Sequence, residues 1–255
     1  MEEREVRKMV RGHYAGIAAG ASCCGGAEPD LAEKSRRIGY SEAELEQAGK
    51  GANLGLGCGN PQAIASLRPG EVVVDLGSGA GFDCFLAARA VGPTGRVIGI
   101  DMTAEMLARA RDNAARLDLP NVEFHEGDIA ALPLPDGIAD VVISNCVVNL
   151  VPEKEAVYRE AFRVLKQGGR LAVADVVNIA PLPPDLAADP QLLCGCVSGA
   201  APLARLEAML AAAGFAAIRI EPKSESREVI ASWAPGRGIE ACVASATITA
   251  EKPRI

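Results

Sequence analysis

Aromatic side chains make up only 4% of the 255 residues, with one Trp and three Tyr, and histidine occurs twice. So few Trp and Tyr leave no visible anchor for a protein interface, where these residues concentrate, and a monomer is expected. His13 and His125 stand outside any ligand-spacing motif and read as structural or surface residues. The net charge is −7 and no Lys/Arg stripe is present, which removes the electrostatic footprint of a nucleic-acid or anionic-membrane binder. No apolar run approaches the roughly 18 residues of a membrane span. The opening MEEREVRKMV mixes acids with bases where a signal peptide carries plain positive charge, and YAGIAAGAS only faintly resembles an export segment. A cytoplasmic protein acting on a small neutral or soft substrate is expected. In that compartment eight cysteines read as chemistry, metal binding or buried thiols more readily than as a disulfide framework.

Hydrophobic residues make up 49% of the chain, enough for a sizeable core. Residues 1–57 carry few strand signals and are expected to form a helical cover; they hold GASCCGGAEPD and then YSEAELEQAG, where Ser41 and Glu44 make a capping box. From residue 71 strands and helices alternate: EVVVDLG, AGFDCFLAARAVG, GRVIGIDM, a helix capped by Thr103, NVEFHEGD, DVVISN, a helix over PEKEAVYREAFRVLKQGG, and GRLAVADVV. Such alternation predicts an α/β fold, a mostly parallel sheet with helices on both faces. The helix RLEAMLAAAGF and the strands AAIRIE and CVASATITAEK would complete it. The expected organisation is a cover over 1–57, a cofactor-binding core over 58–180, and a substrate-site loop with sheet completion over 181–255.

In VVVDLGSGAGFDCF, Asp75, Gly77, Gly79 and Gly81 lie between a strand and a helix, and Asp101 closes the next strand. This is the setting of a nucleoside-binding βαβ unit, with a carboxylate placed for the ribose hydroxyls. The glycines do not follow the dinucleotide spacing G-x-G-x-x-G, and a carboxylate directly before them would repel a pyrophosphate. It suits a ligand carrying an ammonium and a sulfonium, which favours S-adenosylmethionine. In EGDI, Asp128 is expected to end the third strand and accept from the adenine amino group. The order of these motifs resembles the class I S-adenosylmethionine-dependent methyltransferases, which implies a Rossmann-like sheet of seven strands.

Cys146 in ISNCVVNL follows directly on the fourth strand, where ligands bind in such sheets. Cys58 in NLGLGCGNP precedes a helix that Asn60 would cap and Pro61 would open, so a positive field at that terminus is expected to favour its thiolate. Cys194 and Cys196 lie in LLCGCVSGA, and no pair has CxxC spacing. Cys84 and Cys242 read as buried small hydrophobes in a helix and in the last strand.

NLGLGCGNP, DLGSGAGFDCFLAA, GIDMT, ISNCVVNL, CGCVSGA and VASATI together resemble the microbial arsenite methyltransferases. That resemblance implies methyl transfer from S-adenosylmethionine to trivalent arsenic, arsenite or methylarsenite, gripped by the thiolates of Cys58, Cys146 and Cys196, in arsenic detoxification. Cofactor contacts are expected from Asp75, Gly77, Ser78 and Gly79, from Asp101 and Met102, from Asp128 and Ile129, and from Asn145. A thiol reductant, glutathione or thioredoxin, would keep the cysteines reduced. The Cys23–Cys24 doublet is harder to match to the family's further N-terminal cysteine. Two other readings stand beside this one: a methyltransferase of a small organic substrate with incidental cysteines, and a thiolate metal-binding module on a disused methyltransferase fold.

Overall fold

The structure, a computed structural model, describes residues 3–20 and 30–254. Cys23 and Cys24 lie outside the described residues.

Short runs of β-branched residues form the strands: β1 (Val72–Leu76), β2 (Arg96–Asp101), β3 (Val122–Glu126), β4 (Ala139–Asn145), β5 (Leu165–Asn178), β6 (Ala201–Pro202), β7 (Ala216–Pro222) and β8 (Val243–Glu251). Their order is β3-β2-β1-β4-β5-β8-β7, with β8 antiparallel to both neighbours, and the two-residue β6 pairs with the end of β5. The seven expected strands are therefore present, with β6 added.

Alternate side chains point to opposite faces, so each central strand feeds two cores. Val74, Ile98, Val142 and Leu171 pack with Val157 and Ala161 of the helix Lys154–Val164 and Leu206 and Leu210 of the helix Leu203–Ala213. On the other face Val73, Val97, Val141 and Ala172 meet Phe85 and Ala88 of the helix Phe82–Val91 and Leu107 of the helix Ala104–Arg116. A third cluster lies beyond the carboxyl ends of the strands, where Val6, Val10, Leu150, Val176, Leu192 and Ile239 surround Cys58, Cys194 and Cys196.

The cover begins with the helix Glu3–Ala18, whose Val6, Val10 and Ile17 recur at helical spacing and are buried. Arg7 ties it to Asp128 and Glu153, each at 3.0 Å, and the Tyr14 hydroxyl donates to the Cys194 carbonyl at 3.2 Å. The Ser41–Glu44 capping box forms at the start of the helix Glu42–Ala48. Three local expectations change. The Thr103 side chain makes no cap bond, and the Thr103 amide donates to Asp101 Oδ1. Cys242 stands just before β8 rather than within it. The helix expected over PEKEAVYREAFRVLKQGG spans only Lys154–Val164, and β5 takes over at Leu165. No helix among the described residues is long and apolar enough to cross a membrane.

Candidate active site

β1 ends in a glycine turn because the chain must reverse into a helix while passing close to β2. Gly77, with φ of 72°, leaves no room for a Cβ against Val147, and Gly77 and Ser78 both donate to the Ile100 carbonyl. At the crest Gly79 has φ of 51° and nothing within 4 Å of where a Cβ would stand, which leaves an open cradle. Asp101, at the end of β2, closes the turn: Oδ2 accepts from the Gly79 amide at 2.9 Å and Oδ1 from the Thr103 amide at 2.8 Å.

Carboxylates gather beneath this turn. Asp75 is buried and accepts from the Cys84 thiol at 3.2 Å, so that thiol has a polar partner on the helix face read as apolar. Asp83, also buried, accepts from the Tyr40 hydroxyl at 2.7 Å and from Asn145 Nδ2 at 3.1 Å. Burial holds Asp75 well above the usual carboxylate range, helped by the charge of Asp83, and raises Asp83 to about 6. Burial raises Asp101 too, against the pull of its two amide donors. Among the described residues none of the three is ion-paired with Lys or Arg. A cationic ligand is what such a cluster lacks. The buried Ser78 hydroxyl, likewise, has no partner among the described residues. The open cradle, the unpaired carboxylates and the orphan hydroxyl fit S-adenosylmethionine, whose sulfonium and ammonium are positive.

A cavity of about 1220 Å³ runs from this turn to the third apolar cluster. Met102, Asp128, Ile129 and Asn145 all line it. Asp128 does not end β3, which stops at Glu126; it lies in the following loop, its carboxylate accepting from Ala130 N at 2.8 Å and paired with Arg7. His13 lines the cavity from the first helix, whereas His125 sits on β3 beside Glu123.

At the far end the sulfurs of Cys58, Cys146 and Cys196 and a carboxylate oxygen of Asp175 all lie within 4.8 Å of one another. Cys146 and Cys196 line the cavity, while Cys58 and Asp175 stand behind them, both buried. The Cys58 and Cys146 sulfurs are in bonding contact, with Cα atoms 5.6 Å apart, a separation usual for a disulfide. Cys146 continues β4 through its amide, which donates to Ala174 O at 2.8 Å, and the Cys196 thiol donates to the Cys146 carbonyl at 2.8 Å. Both cysteines adopt the left-handed backbone conformation, with φ of 58° and 63°. Non-glycine residues take this conformation at some cost, and it recurs at functional sites.

The helix after Cys58 is a single turn, Gln62–Ala65, whose first amides are taken by Asn60 Oδ1 at 3.0 and 3.3 Å. A single turn carries little of the macrodipole on which the field expected at Cys58 relies. Burial also pushes the Cys196 thiol up, with the charge of Asp175 adding to it, so this sulfur rests as a neutral thiol rather than a thiolate. Asp175 itself is raised to about 7 by burial, although it accepts from Val176 N at 2.7 Å and Asn149 Nδ2 at 2.8 Å and feels the charge of Lys154.

Residues 67–225 match a family described as a methyltransferase domain. An arsenite methyltransferase of Halobacterium salinarum is 51% identical over 99% of this chain and 68% of the relative's length. The chain belongs to the arsenite methyltransferase family. The human arsenite methyltransferase is 37% identical over 58% of this chain and 42% of its own length. Among solved structures, an arsenic(III) S-adenosylmethionine methyltransferase of Chlamydomonas reinhardtii superposes with a TM-score of 0.63 at 30% identity, over 90% of this chain and 75% of that one. The chain thus spans about two thirds of the Halobacterium family member, and its match covers less than half of the human one.

Two parts of the site in this family member escape a reading of motifs. Asp175 lies inside a strand that reads as continuous core, and its place beside the sulfurs follows from register: β4 stops at Asn145, paired with Ala174, and β5 runs on past it. Tyr40 carries no motif signal. The one available clue is that it stands just before the Ser41 cap, where a tyrosine can be driven inward.

Proposed function

We propose that this chain moves the methyl group of S-adenosylmethionine to trivalent arsenic: arsenite held by Cys58, Cys146 and Cys196, or methylarsenite, whose As–C bond leaves two positions for these sulfurs. The convergence of three sulfurs from three separate loops at one end of the cavity carries this reading. Soft sulfur ligands select a soft centre. A neutral arsenite that gains three As–S bonds releases three waters, each carrying the proton of one thiol, so neutral thiols such as Cys196 suffice and no base need take a net proton. The bound arsenic keeps its lone pair as the nucleophile.

S-adenosylmethionine supplies an electrophilic methyl group on a sulfonium. The glycine turn and Asp101 would hold its nucleoside end, and Asp75 lies under the turn as a counter-charge. The protein's contribution is to orient two reactants and to keep water off the sulfurs within the third apolar cluster; orientation of this kind can account for roughly 7–11 kcal/mol of a barrier. Because Cys58 and Cys146 can close on each other, turnover requires a thiol reductant, glutathione or thioredoxin, to keep the pair open. An organic-substrate methyltransferase would leave the clustering of the three sulfurs without a purpose.

The test incubates reduced protein with S-adenosylmethionine and arsenite, with zinc and metal-free controls, and follows S-adenosylhomocysteine together with arsenic species. Arsenite-dependent formation of methylarsenicals is expected. Tight arsenite or zinc binding without turnover would replace this reading with the binding-module one.

A further inference from the structure

Asn145 is the last residue of β4, and its main chain runs straight into Cys146. Its side chain turns the other way, onto the loop that carries Cys58. Asn145 Oδ1 accepts from the Cys58 amide at 3.0 Å, and Nδ2 donates to the Gly59 carbonyl at 2.9 Å. One amide therefore grips the Cys58 loop on both sides of the cysteine while being bonded in sequence to its partner cysteine. The loop is shaped to receive it: Gly57, with φ of 132°, would press a Cβ into this amide at 2.9 Å.

The amide must present its oxygen to Cys58 and its nitrogen to Gly59, and two buried groups fix that sense. Besides the hydrogen given to Gly59, Nδ2 has one more, shared between Asp83 Oδ2 at 3.1 Å and the Tyr40 oxygen at 2.9 Å. Tyr40 spends its only proton on Asp83 Oδ1, at 2.7 Å, so its oxygen faces Asn145 as an acceptor. Turning the amide over would set its oxygen against a carboxylate and a phenol oxygen and would leave the Cys58 amide without an acceptor. Tyr40 is held in place edge-on to Phe82, with ring centroids 4.9 Å apart. Asp83 lies in the first turn of the helix that follows the glycine turn, so a rigid element of the core anchors the network.

We propose that Asn145, oriented by Asp83 and Tyr40, is a positioning residue that sets the spacing of Cys58 and Cys146, so that capture of trivalent arsenic by this pair depends on it. The inference rests on the reading of the thiol cluster given above and refines it. Asn145 lines the cavity, but all its polar atoms are engaged by the protein, and it acts through Cys58 rather than on either reactant.

Phenylarsine oxide, a trivalent arsenical able to bind two thiols, tests the pair without any methyl transfer. The background chain carries Cys23→Ser and Cys24→Ser, so that the adjacent doublet cannot capture the probe, and binding is scored as the part lost in Cys146→Ser. Asn145→Ala is expected to weaken this Cys146-dependent binding tenfold or more. Tyr40→Phe, which keeps the ring and loses the hydroxyl, should weaken it three- to tenfold. S-adenosylmethionine affinity should fall by clearly less than probe binding in both. In turnover the KM for arsenite should rise more than kcat falls. If Asn145→Ala does not fold, Tyr40→Phe decides alone. Unchanged probe binding in the variants, or parallel losses of probe and cofactor affinity, would overturn the positioning role while leaving the proposed function standing. A folded background chain that binds S-adenosylmethionine but shows no Cys146-dependent probe binding would overturn the thiol site and this inference with it.

Discussion

At the cofactor end of the cavity the polar groups are main-chain amides and carboxylates from one contiguous stretch, Asp75 to Asp101. At the thiol end Cys58 and Cys146 are 88 residues apart and Cys146 and Cys196 a further 50, brought together only by the assembled sheet and its cover. The first end draws its groups from β1, its glycine turn, the start of the following helix and the end of β2. The second needs β4, β5, the loop before the first core helix and the loop after β5 all in register. Damage to the thiol end should therefore leave the cofactor end intact, and the reverse should hold as well.

The sharpest separation comes from Cys196→Ser. Arsenite methylation should fall by about 100-fold or more, since misplacing one reactant costs this much, while calorimetry shows S-adenosylmethionine affinity within a few fold of wild type. A matching collapse of cofactor binding would show that the two ends are one unit. Asp101→Ala is the converse: loss of a charged acceptor at the glycine turn should weaken cofactor binding by about 10- to 100-fold, with phenylarsine oxide binding unchanged.

Asp83 lies between the two ends and gives a smaller, pH-dependent effect. Its folded-state pKa of about 6 lies above that of an unfolded aspartate, so folding favours the protonated form. The stability this contributes is complete below about pH 4 and is lost as pH rises through 6, an effect of about 1–3 kcal/mol. Denaturation measured from pH 4 to 7 should show this decline in wild type and a flatter profile in Asp83→Asn. Parallel profiles would mean that Asp83 does not titrate in this range. Arg7→Ala should have the least effect. Its pairs with Asp128 and Glu153 are partly exposed and contribute at most about 1 kcal/mol each, so a melting-temperature shift of a few degrees is expected, with little change in either affinity.

The same contrast explains which parts of the molecule are legible in the sequence. Asp75, Gly77, Gly79 and Asp101 announce their end of the cavity by spacing along one βαβ unit, because the geometry they build is local. The alternation of β-branched runs with amphipathic helices likewise reveals the sheet and both its faces. Cys58, Cys146 and Cys196 could be nominated from their loops and from family resemblance, but nothing in their spacing shows that the three sulfurs meet. Asp175 and Tyr40 were invisible for the same reason: one depends on how far β5 outruns β4, the other on a contact made across 43 residues. That the helix after Cys58 is a single turn was hidden too, because sequence marks where a helix begins more clearly than how soon it ends.

Cys146 and Cys196 both hold a left-handed backbone. Judged by main-chain preference alone, glycine or asparagine is the better residue at each position, by about 1 kcal/mol. A redesign of this protein for heat resistance that scored residues by backbone fit would therefore choose these two positions early, and would return a sturdier chain with two of its three sulfurs gone.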